Sequence, residues 1–148
     1  MQCCSELEEF REMLQALGRS LGSLEKEQMS CYGLTPQQAY TLGIIGSSPG
    51  VTMGVLSERL GIATSTLTRN VDKLESDGVV VRNRTTEDAR AVQVLLTDKG
   101  RTKLQQVQEC YSSCFRSLLE CVSPEDRETL LKGMRILVQA FRQCDCCR

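Results

Sequence analysis

At 148 residues the chain has room for one domain of ordinary size; with 41% hydrophobic but only 4% aromatic residues and no Trp, its core must lean on Leu, Val, Ile and Ala, which suits helices better than a β-sandwich. No apolar run approaches the roughly 20 residues that cross a bilayer, and the acidic N-terminus carries no apolar signal stretch, so a cytoplasmic chain with no membrane partner is expected. The net charge of −1 gives no overall basic footprint for nucleic acid, but residues 1–58 hold seven acids and three bases while 59–148 hold fifteen bases and twelve acids, a distribution that permits such a partner without arguing for it.

The first predicted element is a long helix over 6–28. Its Leu7, Phe10, Leu14, Leu17, Leu21 and Leu24 recur at alternating spacings of three and four, a stripe that wants a partner helix. Thr35-Pro36-Gln37-Gln38 then gives a Thr cap, Pro at the first helical position and Gln at the third, opening a short helix to about Ile45. The run Gly46-Ser47-Ser48-Pro49-Gly50 should break it. Thr52 can cap a helix over 53–60, with Leu56 and Leu60 facing inward, and Gly61 supplies a left-handed turn before a further helix over about 63–77. That helix places Leu67, Val71 and Leu74 on one side and ends at Asp77-Gly78.

Val79–Val81 and Ala91–Leu96 read as two strands joined by a polar loop over 83–90. Thr97-Asp98-Lys99-Gly100 opens a second long helix to about 121, striped by Leu104, Val107, Tyr111, Cys114, Leu118 and Cys121. Ser123-Pro124 repeats the cap-then-Pro signature before a last helix carrying Leu130, Met134, Leu137 and Phe141; the tail 143–148 has no periodicity.

A short helix, a Gly turn, a second helix and a charged hairpin, in that order, make a winged helix-turn-helix. In that motif the second helix enters the major groove with its N-terminal residues at the base edges. Ala63-Thr64-Ser65-Thr66-Leu67-Thr68-Arg69-Asn70 suits that placement, because small hydroxyls let the backbone approach DNA, and Arg69 can reach a guanine edge or a phosphate. Arg69, Lys73, Arg82, Arg84 and Arg90 are the bases of this segment. Ser and Thr that merely cap a surface helix are the lesser alternative for any one of these residues, and a weaker one still for the ordered assembly.

From about Leu34 to Leu104 the sequence resembles the MarR family. The resemblance is carried by Leu56-Ser57-Glu58-Arg59-Leu60-Gly61, by Thr66 through Gly78, and above all by Asp88-Ala89-Arg90 followed by alternating apolar residues and Leu96-Thr97-Asp98-Lys99-Gly100. It implies a mainly α, winged helix-turn-helix homodimer whose end helices, 6–30 and 101–142, interdigitate around the lobe 34–100. Wings would reach the flanking minor grooves. It makes Arg90 the wing-tip arginine and Asp88 the acid that orients a wing arginine, Arg84 or Arg82. Many members have a basic residue where this chain has Ala89, so weaker wing contacts are expected. The DNA-facing set is then Thr52, Thr64, Ser65, Thr66, Thr68, Arg69, Lys73, Arg84, Asp88 and Arg90, and the partner is a pseudo-palindromic operator in double-stranded DNA.

Nine cysteines and no histidine make the composition unusual, and none of the nine lies within 32–109. Cys110 and Cys114 are one helical turn apart and could share an ion, whereas Cys121 lies on the same face about 16 Å from Cys110 along the axis. Cys3 and Cys4 at one end and Cys144, Cys146 and Cys147 at the other are chelating in composition. All-thiolate ligation favours a soft metal or metalloid ion or an iron–sulfur cluster. Thiol oxidation is the rival chemistry, and Cys114 and Cys121 sit at apolar stripe positions where burial as small hydrophobes is the plainer account.

Three classes of function follow. The leading one is a DNA-binding regulator, a repressor, whose affinity a cysteine-directed signal controls; release by a small aromatic ligand is the variant the family resemblance suggests. A winged helix used only for protein docking is the second. An enzyme is not expected, since there is no His, no nucleophile motif and no phosphate loop.

Overall fold

The computed structural model describes residues 2–84 and 92–144, with side chains over 5–83 and 92–144. In chain order the elements are α1 (Gln2–Ser30), α2 (Pro36–Ser47), β1 (Val51–Thr52), α3 (Met53–Leu60), α4 (Thr64–Ser76), β2 (Val80–Arg84), β3 (Val92–Leu96), α5 (Asp98–Glu120) and α6 (Pro124–Gln143). The chain divides into two compact units, residues 1–109 and 110–148.

In the first unit a helical cluster packs on a small antiparallel sheet of order β1-β3-β2. Its core is aliphatic, as the composition requires: Leu42, Ile45, Leu56, Leu67, Val71, Leu74, Val79, Val80, Val94 and Val107 are all buried. Each such side chain contributes about 1.5–3 kcal/mol over leaving it in water. The Thr35 signal works as its order predicts. Thr35 Oγ1 accepts from Gln38 N–H at 3.2 Å while Gln38 Oε1 accepts from Thr35 N–H at 2.9 Å, a reciprocal capping box with Pro36 at the first turn.

Several sequence expectations are corrected. Gly46 does not break α2 but lies inside it, where a Cβ would overlap the Leu104 side chain; its smallness lets α5 approach. A third strand, β1, pairs Val51 with Val94 and Thr52 with Gln93. Asn83 and Arg84 belong to β2, opposite Gln93 and Val92, and not to the loop. Leu60 is half-buried, in contrast to fully buried Leu56. Ser123 precedes Pro124 as expected, yet its hydroxyl donates to Asp126 Oδ2 at 2.7 Å and caps no backbone amide.

The second unit comprises α5 from Cys110 onward and α6. Tyr111 and Phe115 stack one turn apart, with ring centroids 5.7 Å apart and planes 6° from parallel. Cys114 is half-buried and Cys121 exposed, so neither is a core residue of the single chain. No helix among the described residues is long and apolar enough to cross a membrane.

Candidate nucleic-acid interface

The turn between α3 and α4 is held from both sides. Gly61 adopts φ 61, ψ 31, the left-handed region that a side chain disfavours. Ser57 grips the residue after it. The N–H of Ile62 donates to the Ser57 carbonyl at 3.2 Å, and the Ser57 hydroxyl donates to the Ile62 carbonyl at 2.7 Å. The same hydroxyl lies 3.4 Å from Thr64 Oγ1, the first residue of α4. Both backbone groups of the turn residue are thereby satisfied, and the angle between the helices is fixed. Nothing in the local sequence marks Ser57 for this role, since a mid-helix serine has no signature of its own.

Leu67, Val71 and Leu74 anchor α4 to the core, each fully buried. This leaves Thr64, Ser65, Thr66, Thr68 and Arg69 exposed on the N-terminal half. The helix begins after Ala63, which has no side-chain acceptor, and no acid lies in its first turn. The amides of Thr64 and Ser65 therefore face outward with the positive end of the helix dipole, an arrangement that favours a phosphate or a carbonyl acceptor. Thr68 turns its hydroxyl back onto the Thr64 carbonyl at 2.8 Å, whereas Arg69 pairs with no carboxylate among the described residues.

Other bases of the segment are already engaged. Lys73 pairs with Asp77 at 2.9 Å, one turn on. Arg82 is turned inward, against Asp72 at 2.7 Å and Glu75 at 2.9 Å. Of the bases read from the sequence as belonging to the DNA-binding segment, Arg82 is therefore a partner of α4. Thr52 accepts from the Val55 N–H at 3.4 Å as the cap of α3, half-buried. The side chain of Arg84, together with Asp88 and Arg90, lies outside the described residues, so the wing-tip assignments rest on the sequence alone.

The wing stem has a well-defined root. The Thr97 hydroxyl donates to the Gly78 carbonyl at 2.7 Å, with the Val79 carbonyl 3.1 Å away, and accepts from the Gly100 N–H at 3.0 Å. This one side chain joins the α4–β2 turn to the start of α5, which gives the Leu-Thr-x-x-Gly pattern its physical content.

Of the cysteines singled out, Cys110 and Cys114 lie one turn apart on α5, both half-buried, and Cys144 caps the end of α6. Among the described residues no three Cys, Asp or Glu side chains come together to hold a metal ion. Cys146 and Cys147, and the side chains of Cys3 and Cys4, lie outside the described residues.

Comparison with known proteins agrees with this geometry. A sequence model of the MarR family matches residues 32–91. The chain is 28% identical over 128 residues to YdgJ of Bacillus subtilis, an HTH-type transcriptional regulator, covering 86% of this chain and 76% of that one. It is 30% identical over 94 residues to the transcriptional repressor MdtR of the same organism, covering 64% of this chain and 61% of MdtR. Its fold is similar to that of FabT of Streptococcus pneumoniae, solved in complex with DNA, with a TM-score of 0.81 at 23% identity over 93% of this chain and 98% of that one.

Proposed function

We propose, from the match of residues 32–91 to the MarR family model and the likeness to HTH-type transcriptional regulators, that the chain is a MarR-type homodimeric repressor that reads a pseudo-palindromic operator, with α4 in the major groove and the hairpin between β2 and β3 against the flanking minor groove. The observation that carries this reading is the exposed N-terminal half of α4. It is free of acids, rich in hydroxyls, uncapped at its first amides, and carries Arg69 unpaired among the described residues. Such a surface accepts phosphates and base edges and offers little to an apolar docking partner.

An electrophoretic shift assay on Arg69→Ala and Lys73→Ala tests it. Arg69→Ala should weaken binding by about 1–3 kcal/mol and relax discrimination at one base position. Lys73→Ala should weaken all sequences alike and by less, since its charge is already shared with Asp77. If both variants keep wild-type affinity, α4 is not the reading element, and a docking module becomes the better account.

Dimerisation is supported by the apolar stripes that the single chain leaves in water. Leu7, Phe10, Leu17 and Leu21 of α1 are exposed, as are Leu130, Met134 and Phe141 of α6. Charge is complementary as well. Residues 2–17 carry Glu6, Glu8, Glu9 and Glu12 against Arg11 alone, while 129–143 carry Lys132, Arg135 and Arg142 and no acid.

The controlling signal is proposed to act on thiols. Cys31, Cys110, Cys114, Cys121 and Cys144 are each exposed or half-buried, and none is fully buried in the chain. Cys110→Ser with Cys114→Ser should leave DNA binding intact but abolish its release by arsenite, cadmium or mild oxidants. A double variant that still responds to all of them removes the thiol reading and favours a small aromatic effector.

A further inference from the structure

Four contacts converge on Arg82. Its Nη1 lies 2.7 Å from Asp72 Oδ1 and 2.9 Å from Glu75 Oε2. Its Nη2 donates to the Thr68 carbonyl at 3.4 Å, and its backbone N–H donates to Glu75 Oε1 at 3.1 Å. Thr68, Asp72 and Glu75 are spaced by four and three residues, so they form one face of α4.

This convergence follows from the local fold. Asp77 ends α4, and Gly78 at φ 70 turns the chain, with its N–H on the Glu75 carbonyl at 2.9 Å and that of Val79 on the Leu74 carbonyl at 2.9 Å. Strand β2 therefore runs back along the helix it has just left. Side chains alternate along a strand. Val80 is buried and Val81 exposed, so Arg82 returns to the side of Val80, toward α4. A residue that would otherwise add to the positive surface is thereby spent on the helix.

Asp72 and Glu75 are the only acids within α4. On a helix lying in the major groove they would sit within about one Debye length, roughly 10 Å at 0.1 M salt, of phosphate oxygens. Lys73, the base between them, is committed to Asp77. Among the described residues Arg82 is the cation that meets both carboxylates at once, three-quarters withdrawn from solvent, with a side-chain exposure of 24%.

We propose that Arg82 is a positioning residue for DNA binding that works by offsetting part of the negative charge of Asp72 and Glu75 on the recognition helix, without touching DNA itself. This deepens the reading of α4 given above and rests on it. In this arrangement the wing stem supplies the counter-charge that lets an acid-bearing helix approach the duplex. The two carboxylates in return hold the stem against the helix.

The test uses the full-length protein and a labelled duplex that the wild-type chain enriches from a random-sequence pool. Arg82→Gln should lower affinity about tenfold or more at low salt, and the loss should shrink as salt screens the exposed carboxylates. Adding Asp72→Asn and Glu75→Gln to that variant should restore affinity to within about threefold of wild type, because no charge then remains to be offset. Melting of each variant is measured alongside. If Arg82→Gln does not fold, Arg82→Lys carries the test: it keeps the charge but loses the planar fork, and should bind within about threefold of wild type. Unchanged binding by Arg82→Gln, a triple variant as weak as the single one, or an Arg82→Lys variant that folds yet binds poorly would each overturn the inference while leaving the DNA-binding reading standing. A wild-type chain that enriches no duplex removes both.

Discussion

Gly100→Ala is expected to destabilise the protein by about 3 kcal/mol, the upper end of what overpacking a close contact costs. Gly100 sits in the first turn of α5, directly against the backbone of Val79. A Cβ there would overlap the Val79 carbonyl oxygen and lie 3.1 Å from its carbonyl carbon. No flexible side chain can yield, because the obstacle is main chain. That carbonyl also accepts from the Thr97 N–H at 3.1 Å, and the Val79 N–H is itself bonded to Leu74 at 2.9 Å. Any shift that makes room for a methyl group must therefore stretch the bonds that root the wing stem. Thermal melting should show a loss of roughly 6–12 °C for a chain of this size. Gly54→Ala is the control: nothing lies within 4 Å of its Cβ position, and a helical Gly replaced by Ala should gain about 0.5–1 kcal/mol. A Gly100→Ala protein that melts with wild type would show that this close approach is not needed.

The features that periodicity and capping chemistry encode locally were legible in the sequence. Leu67, Val71 and Leu74 share one face because three and four residues make a helical turn, and all three are buried. Thr35, Pro36 and Gln38 announce their capping box, and Gly61 its left-handed turn, because each effect spans four residues or fewer. What stayed hidden depends on chain reversal. Strand β1 is two residues long and too short to carry an alternation; it exists because β3 offers Val94 and Gln93 as partners. Arg82 looked like a base for DNA, since its partners Asp72 and Glu75 come within reach only once β2 folds back along α4. Cys114 and Cys121 looked like core residues because a stripe spaced in threes and fours marks an apolar face without saying whether the same chain covers it.

That same ambiguity governs the first helix, where Leu17→Asp is expected to abolish the proposed homodimer and DNA binding with it. Leu7, Phe10 and Leu17 are 67%, 53% and 51% exposed in the single chain, an apolar row along a helix whose opposite face is acidic and polar. A soluble monomer rarely leaves such a row in water. Burying one Leu contributes about 1.5–3 kcal/mol, and two-fold symmetry places every substitution in the interface twice. Two unpaired carboxylates in an apolar seam add several kcal/mol more. The combined cost of about 6 kcal/mol or more corresponds to a weakening of the dimer of about ten-thousandfold or more. Operator affinity should fall along with it, because two recognition helices read two half-sites only when held about 34–36 Å apart. Sedimentation should find the wild-type protein dimeric at micromolar concentration and Leu17→Asp aggregated or unfolded, since the rest of the stripe would still be exposed. A wild-type chain that sediments as a well-behaved monomer at that concentration would show that these faces are covered in some other way, and the two-helix reading of the operator would fall with the dimer.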